Sequence, residues 1–119
     1  MTTAAARKRV LVVEDDYGVA RAVQLLLRHS GFEPLVAESV REAMKQLANE
    51  PEWVILDLML PDGCGIEVLR AIRARGLRTK VVVASGTGDD KLIADVVALA
   101  PEHYLVKPVE FSKLLSALR

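Results

Sequence analysis

A chain of 119 residues fits one compact domain and leaves no room for a second of ordinary size. Sixteen basic and sixteen acidic residues cancel, so no basic stripe points to nucleic acid and no polybasic run to a membrane surface. The single Cys64 excludes an intramolecular disulfide and a cysteine-held zinc, and no apolar run reaches the ~20 residues that span a bilayer.

Residues 1–8 are small, polar and basic and read as a frayed tail, with one domain over 9–119. Residues 10–13 form a continuous β-branched and leucine run that stops at Glu14-Asp15-Asp16. Val19, Ala22, Val23 and Leu26 then recur at helical spacing as the expected inward face, and Gly31 is a stop signal. Residues 34–37 read as a short strand whose Pro34 suggests a sheet edge. Ser39 and Glu42 make a capping-box pattern before the stripe Val40, Ala43, Met44 and Leu47. The third strand covers 53–56 and ends at Asp57, and 61–65 is turn chemistry. A helix follows with Ile66, Leu69 and Ile72 inward, and Gly76 ends it. Residues 81–84 are the fourth strand and 85–90 a loop. Leu92, Ile93, Val96 and Val97 form the face of a helix closed by Pro101. The last strand covers 103–106, and Phe111, Leu114, Leu115 and Leu118 mark a short final helix.

Strands alternating with helices imply a parallel sheet wound on both faces, because such strands are buried on both sides. Right-handed crossovers leave few arrangements, and the order 2-1-3-4-5 keeps the Pro34 strand at an edge. Ligands of such sheets bind beyond the carboxyl ends of the strands, near the point where the winding reverses. Polar residues stand there: Glu14-Asp15 after strand one, Asp57 after three, Ser85 after four and Lys107 after five.

Three carboxylates converging on a small volume repel one another unless a proton or a cation intervenes. Oxygen donors without His or Cys suit a hard ion such as Mg²⁺. Lys107 brings a point charge suited to a phosphate oxygen, Ser85 a hydroxyl, and Gly86-Thr87-Gly88 a loop open to an anion. With no Cys or His at these strand ends, the nucleophile of a phosphoryl transfer is a carboxylate, and Asp57 is the central one.

The runs Val12-Val13-Glu14-Asp15-Asp16, Asp57-Leu58-Met59-Leu60-Pro61-Asp62-Gly63-Cys64-Gly65 and Tyr104-Leu105-Val106-Lys107-Pro108 resemble those of response-regulator receiver domains, over nearly the whole chain. The resemblance implies a flavodoxin-like doubly wound five-stranded parallel sheet of order 2-1-3-4-5 with five helices, the order flavodoxin itself exemplifies. It implies a two-component phosphorelay role, in which a histidine kinase or histidine phosphotransfer protein donates a phosphoryl group to Asp57. Glu14, Asp15, Asp57 and the Met59 carbonyl would hold Mg²⁺. Ser85 and Lys107 would contact the phosphoryl group, Tyr104 would move with Ser85, and the Lys107–Pro108 bond would be cis. Met59 and Thr87 occupy positions that tune the phosphoryl lifetime. The implied surroundings are a downstream output domain or protein and the cytoplasm, with room for a phosphorylation-dependent homodimer that the residues do not decide.

Three positions depart from the family pattern: Ser85 stands for a more frequent threonine, Gly86 for an alanine, and Ala100-Pro101 for a Gly-Ala turn. Bland readings accompany the sharp ones. Asp15 or Asp16 suits a helix N-cap, Thr87 reads as a loop hydroxyl, and His29 and His103 as surface residues. Trp53 reads as structural and Cys64 as a bystander in the turn. An aspartyl phosphohydrolase is disfavoured because Met59 stands where its second Asp would be. A nucleotide-binding loop is disfavoured because Lys91 occupies the third glycine position.

Overall fold

The computed structural model describes residues 7–119, so most of the expected tail over 1–8 lies outside the described residues; Arg7 and Lys8 are exposed. The strands β1 (Arg9–Val13), β2 (Glu33–Ala37), β3 (Trp53–Leu56), β4 (Lys80–Ser85) and β5 (His103–Val106) form one sheet in the order β2-β1-β3-β4-β5. All four pairings are parallel. The helices are α1 (Tyr17–His29), α2 (Val40–Gln46), α3 (Ile66–Ala74), α4 (Asp90–Ala98) and α5 (Phe111–Ala117).

The pleat sends alternate residues to opposite faces. Leu11, Val13, Val54, Leu56, Val81 and Val83 join α2, α3 and α4 in one core. Val10, Val12, Ile55 and Val82 join Leu27 of α1 and Leu114 and Leu118 at α5 in the other. Pro34, which has no N–H for a ladder, sits on the edge strand β2 as expected.

The N-terminus of α2 is capped more completely than its sequence suggests. Ser39 Oγ accepts from the N–H of Glu42 at 3.0 Å, while Glu42 reaches back to the N–H of Glu38 at 2.6 Å. The Val40 and Arg41 N–H groups donate to the two oxygens of Asp62 at 2.8 and 3.0 Å. These bonds hold the Asp62 carboxyl below the usual carboxylate range. Asp62 belongs to the segment expected to be a plain turn, which is instead a small antiparallel ribbon pairing Met59–Leu60 with Gly63–Cys64.

Two helix faces differ from expectation. In α1 the buried residues are Ala20 and Leu27, whereas Val19 and Leu26 are 45% and 43% exposed, Ala22 is exposed and Val23 half-buried. The run 19–27 is apolar over so wide an arc that its sequence stripe lies roughly a quarter turn from the line that meets the sheet. In α4, Val96 is fully buried, Leu92 and Ile93 are half-buried and Val97 faces solvent.

The α3 C-terminus closes with Gly76 at φ +63° and paired bonds from the N–H groups of Gly76 to Arg73 O and of Leu77 to Ile72 O. The α4 C-terminus attempts the same turn with an alanine: Ala100 has φ +51° and donates to Val97 O at 2.9 Å. Pro101 has no N–H to make the second bond. Arg73 of α3 ties the turn down through other carbonyls, donating to Leu99 O at 3.0 Å and Ala100 O at 2.8 Å. A left-handed alanine costs about 1 kcal/mol that glycine avoids. Ala100→Gly is therefore expected to raise the unfolding free energy by about 0.5–1 kcal/mol, measured by urea denaturation; an unchanged or lower midpoint contradicts this account of the turn.

Candidate functional site

The expected strand-end residues meet at one edge of the sheet, and the ladder itself places their backbones. Beyond the last paired residues, the Glu14 N–H donates to Ala37 O at 3.0 Å, the Asp57 N–H to Val13 O at 3.1 Å and the Lys107 N–H to Ser85 O at 3.0 Å. Each polar residue thus occupies the first rung past an apolar strand, with its main chain fixed. Its side chain projects beyond the sheet.

Lys107 Nζ lies 3.0 Å from Glu14 Oε1 and 3.2 Å from Asp57 Oδ2, joining residues 93 and 50 positions away in the chain. Glu14 and Asp57 are buried, at 6% and 8% exposure, while Asp15 is exposed. The other Asp57 oxygen, Oδ1, accepts from the Met59 N–H at 3.2 Å. Both carboxylate oxygens of Asp57 are therefore oriented. Carboxylate oxygens of Glu14, Asp15 and Asp57 lie within 4.8 Å of one another. This all-oxygen, anionic donor set fits a hard divalent cation.

Asp16 is the N-cap of α1, accepting from the Val19 N–H at 3.1 Å, which leaves Glu14 and Asp15 to the site. Ser85 is buried, and its hydroxyl accepts from the Thr87 N–H at 3.1 Å. Thr87 Oγ1 accepts from the Asp89 N–H at 3.1 Å, and Asp89 Oδ1 from the N–H groups of Lys91 and Leu92 at 3.1 Å. The loop after β4 is a staircase of side chains folded back on their own backbone, ending as the α4 cap. The Met59 side chain is 64% exposed beside the site. Tyr104, opposite Val83 in the sheet, packs into the α2–α4 core, and its buried hydroxyl has no hydrogen-bond partner. The Lys107–Pro108 bond is cis.

Residue reasoning missed the part played by Gly65. A Cβ there would stand 2.1 Å from Asp57 O, so the start of α3 touches the Asp57 backbone only because that side chain is absent. The Gly65 N–H also donates to Leu58 O at 2.8 Å. The Asp-Gly-Cys-Gly composition announces a turn but not this contact. His29 and His103 are exposed, as expected. Trp53 stacks on His103 with ring centroids 6.2 Å apart, at the opposite end of β3 from Asp57.

A doubly wound parallel sheet with carboxylates and a lysine gathered at its carboxyl edge defines the class of α/β scaffold, and comparison with known proteins narrows it. Residues 10–119 match the response regulator receiver domain family, and the chain belongs to it. Among curated relatives, the acid tolerance regulatory protein ActR of Rhizobium meliloti (strain 1021) is 35% identical over 112 residues, covering 93% of this chain and 58% of that protein. The phosphate regulon transcriptional regulatory protein PhoB of Escherichia coli (strain K12) is 29% identical, over 94% of this chain and 50% of its own length. The chain thus spans little more than half of these relatives. A CheY-like response regulator receiver domain protein from Methanospirillum hungatei JF-1 superposes with a TM-score of 0.88 at 26% identity, covering 95% of this chain and 91% of that one. The family match and these structures bear out the expected class and sheet order. Among the described residues, no helix is long and apolar enough to cross a membrane.

Burial first, and then the hydrogen bond to Asp57, push the Glu14 carboxyl above its ordinary value against the pull of Lys107. For Lys107, burial alone would lower the value, but the bond to Glu14 and the charges of Asp57 and Glu14 outweigh it and raise the ammonium. Both groups hold a proton more tightly in the folded state than in the unfolded chain. Each contribution is fully present below the unfolded value and is lost as pH rises through the raised one. For Glu14 that loss begins in the carboxylate range, so at neutral pH its ionised form is a liability. Glu14→Gln is expected to raise the unfolding temperature at pH 7 in metal-free buffer by about 4 °C, corresponding to about 1 kcal/mol. The advantage should shrink at pH 4. Circular dichroism melts at both pH values check this; a variant less stable than wild type at pH 7 would mean that pairing with Lys107 outweighs burial.

Proposed function

We propose that this receiver takes a phosphoryl group from a phosphohistidine donor onto Asp57, in a Mg²⁺-dependent reaction that switches a protein-interaction surface. The observation that carries the reading is Lys107 Nζ held between Glu14 and Asp57 at 3.0 and 3.2 Å, in a cluster of three carboxylates. A carboxylate oxygen of Asp57 attacks phosphorus, the phosphorus–nitrogen bond breaks, and the partner's imidazole leaves and takes up a proton. Lys107 stabilises the charge spread over the phosphoryl oxygens as the group passes. The Met59 N–H and Lys107 keep the nucleophile from rotating away. Glu14, Asp15, Asp57 and the Met59 carbonyl are the groups that would hold Mg²⁺. When bound, the ion supplies positive charge against the phosphoryl oxygens and lets the carboxylates stay ionised together.

Ser85 and Tyr104 form the switch in this reading. Ser85 exchanges its bond with the Thr87 N–H for one to the phosphoryl group, pulling on the loop that caps α4. Tyr104 carries a buried hydroxyl without a partner, a burden of about 1–3 kcal/mol. That unsatisfied group supports a second position for the ring, which a local charge change can favour. The donor is a histidine kinase or histidine phosphotransfer protein, the listener an output domain or protein, and the setting the cytoplasm.

The test is Mg²⁺-dependent modification by acetyl phosphate, read as an added phosphoryl mass. Wild type should gain it, Asp57→Asn should not, and Lys107→Ala should gain it at least tenfold more slowly. Modification of the Asp57→Asn chain at the wild-type rate would sink the assignment.

Met59 and Thr87 set the lifetime. Met59 offers no polar group to orient water, and the Thr87 hydroxyl is occupied by Asp89. Self-dephosphorylation is therefore slow to moderate, with phospho-Asp57 lasting minutes or longer in Mg²⁺ buffer; a half-life of seconds, followed by mass spectrometry after removal of the donor, refutes this.

A further inference from the structure

The α1–α5 side of the sheet does not close over the strand ends. A cavity of about 590 Å³ lies between Val19, Val23 and Leu26 of α1 and Phe111 of α5, with Ile55 and Ala84 of the sheet as its floor. Ile55 and Ala84 keep 6% and 8% exposure, although Val10 and Val82 on the same face of the sheet are completely sealed. Polar groups join the lining where the strands end, at Glu14, Asp57 and Lys107. A volume of this size, largely apolar with a few polar groups at one end, suits a small organic molecule. Water gains little in an apolar pocket. The floor lies between two helices, so a slender body reaches it, whereas a flat protein surface would stop at the rim formed by Val19 and Leu26.

The polar end selects the head group. Two carboxylates of the lining, Glu14 and Asp57, stand against one ammonium, Lys107, and the exposed Asp15 adds a third carboxylate within 4.8 Å of them, outside the lining. In the absence of a divalent ion the local charge favours a cation. We propose that the cavity takes a small amphiphilic primary amine, with its alkyl or aryl body between α1 and α5 and its ammonium beside Glu14 and Asp57, in competition with Mg²⁺. The competition rests on the Mg²⁺ reading given above; the binding of the apolar body does not. An amine seated there holds the receiver unphosphorylated, which makes the site an inhibitory input distinct from the phosphodonor.

The test titrates n-butylamine, n-pentylamine and n-hexylamine into the metal-free protein at pH 7, followed by calorimetry and amide NMR shifts. Binding should saturate at one amine per chain and tighten about fourfold with each added CH₂. Hexanoate, with the same body and opposite charge, should bind at least tenfold more weakly, and millimolar Mg²⁺ should weaken n-hexylamine. Ala22→Phe places a ring in the cavity from the exposed side of α1, outside the core, and should weaken n-hexylamine at least tenfold. An affinity independent of chain length would mean that the amine is only a counter-ion to the carboxylates, and overturns the proposal. So does equal binding of hexanoate, or no effect of Ala22→Phe. Absence of saturable binding overturns it too, and leaves the cavity to an apolar side chain of a partner protein. Failure of acetyl phosphate to modify the amine-free protein counts against the phosphoacceptor reading alone, because none of the binding measurements uses a phosphodonor.

Discussion

Lys107 is the counter-charge on which the carboxyl edge of the sheet depends. Glu14 and Asp57 end adjacent strands, and the parallel ladder leaves their backbones no freedom to separate. Buried carboxylates at that spacing would repel each other and force one to neutralise. A single ammonium from the far end of the sheet touches both. It spans the intervening strand β4, so β4 and β5 must be in register before the site exists. The fold brings the like charges together, and the fold also delivers what makes them tolerable. Burial raises the Glu14 carboxyl against the pull of Lys107, and the two carboxylates raise the Lys107 ammonium, so negative charge is in excess at this edge.

The two faces of the sheet carry different duties. On the α2–α4 side the core is dense, and Tyr104 is packed into it with its hydroxyl unsatisfied. The loop from Ser85 to Asp89 enters α4 through consecutive side-chain-to-backbone bonds, so a pull at Ser85 passes along a short chain of contacts. At the other end of α4, Arg73 ties its last carbonyls to α3, and Glu102 receives the Val81 N–H at 2.6 Å. The side-chain hydrogen bonds at one end of α4 reach a neighbouring helix and strand, and those described at the other end stay within its own loop. The α1–α5 side is less filled, and its gap opens toward the same carboxylates.

Much of this was legible in the residues. Short Val, Ile and Leu runs bounded by turn signals read as strands buried on both faces, and four of the five strands run into a polar residue that the site uses, the edge strand β2 being the exception. Helix existence was equally plain. Helix facing was not: in α1 seven of nine residues from Val19 to Leu27 are apolar, and periodicity cannot choose a line within so broad a stripe. Asp62 was hidden because its partners, Val40 and Arg41, lie 22 and 21 residues away, beyond any local capping pattern. The Ala100 turn was visible as a departure, but its tie to Arg73 is a tertiary contact that composition does not encode. Met59 and Thr87 could be placed beside the site, yet the occupation of the Thr87 hydroxyl by Asp89 depends on loop geometry.

Gly65 has an implication for how this chain can vary. The distance from its hypothetical Cβ to Asp57 O forbids volume rather than any particular chemistry. Every other amino acid, alanine and proline included, brings at least that one carbon, so each missense change at the codon meets the same obstruction. Cys64 next to it is free and half-buried, with its side chain packed against the core. The entry to α3 beside Asp57 therefore depends on a residue that contributes no side chain at all.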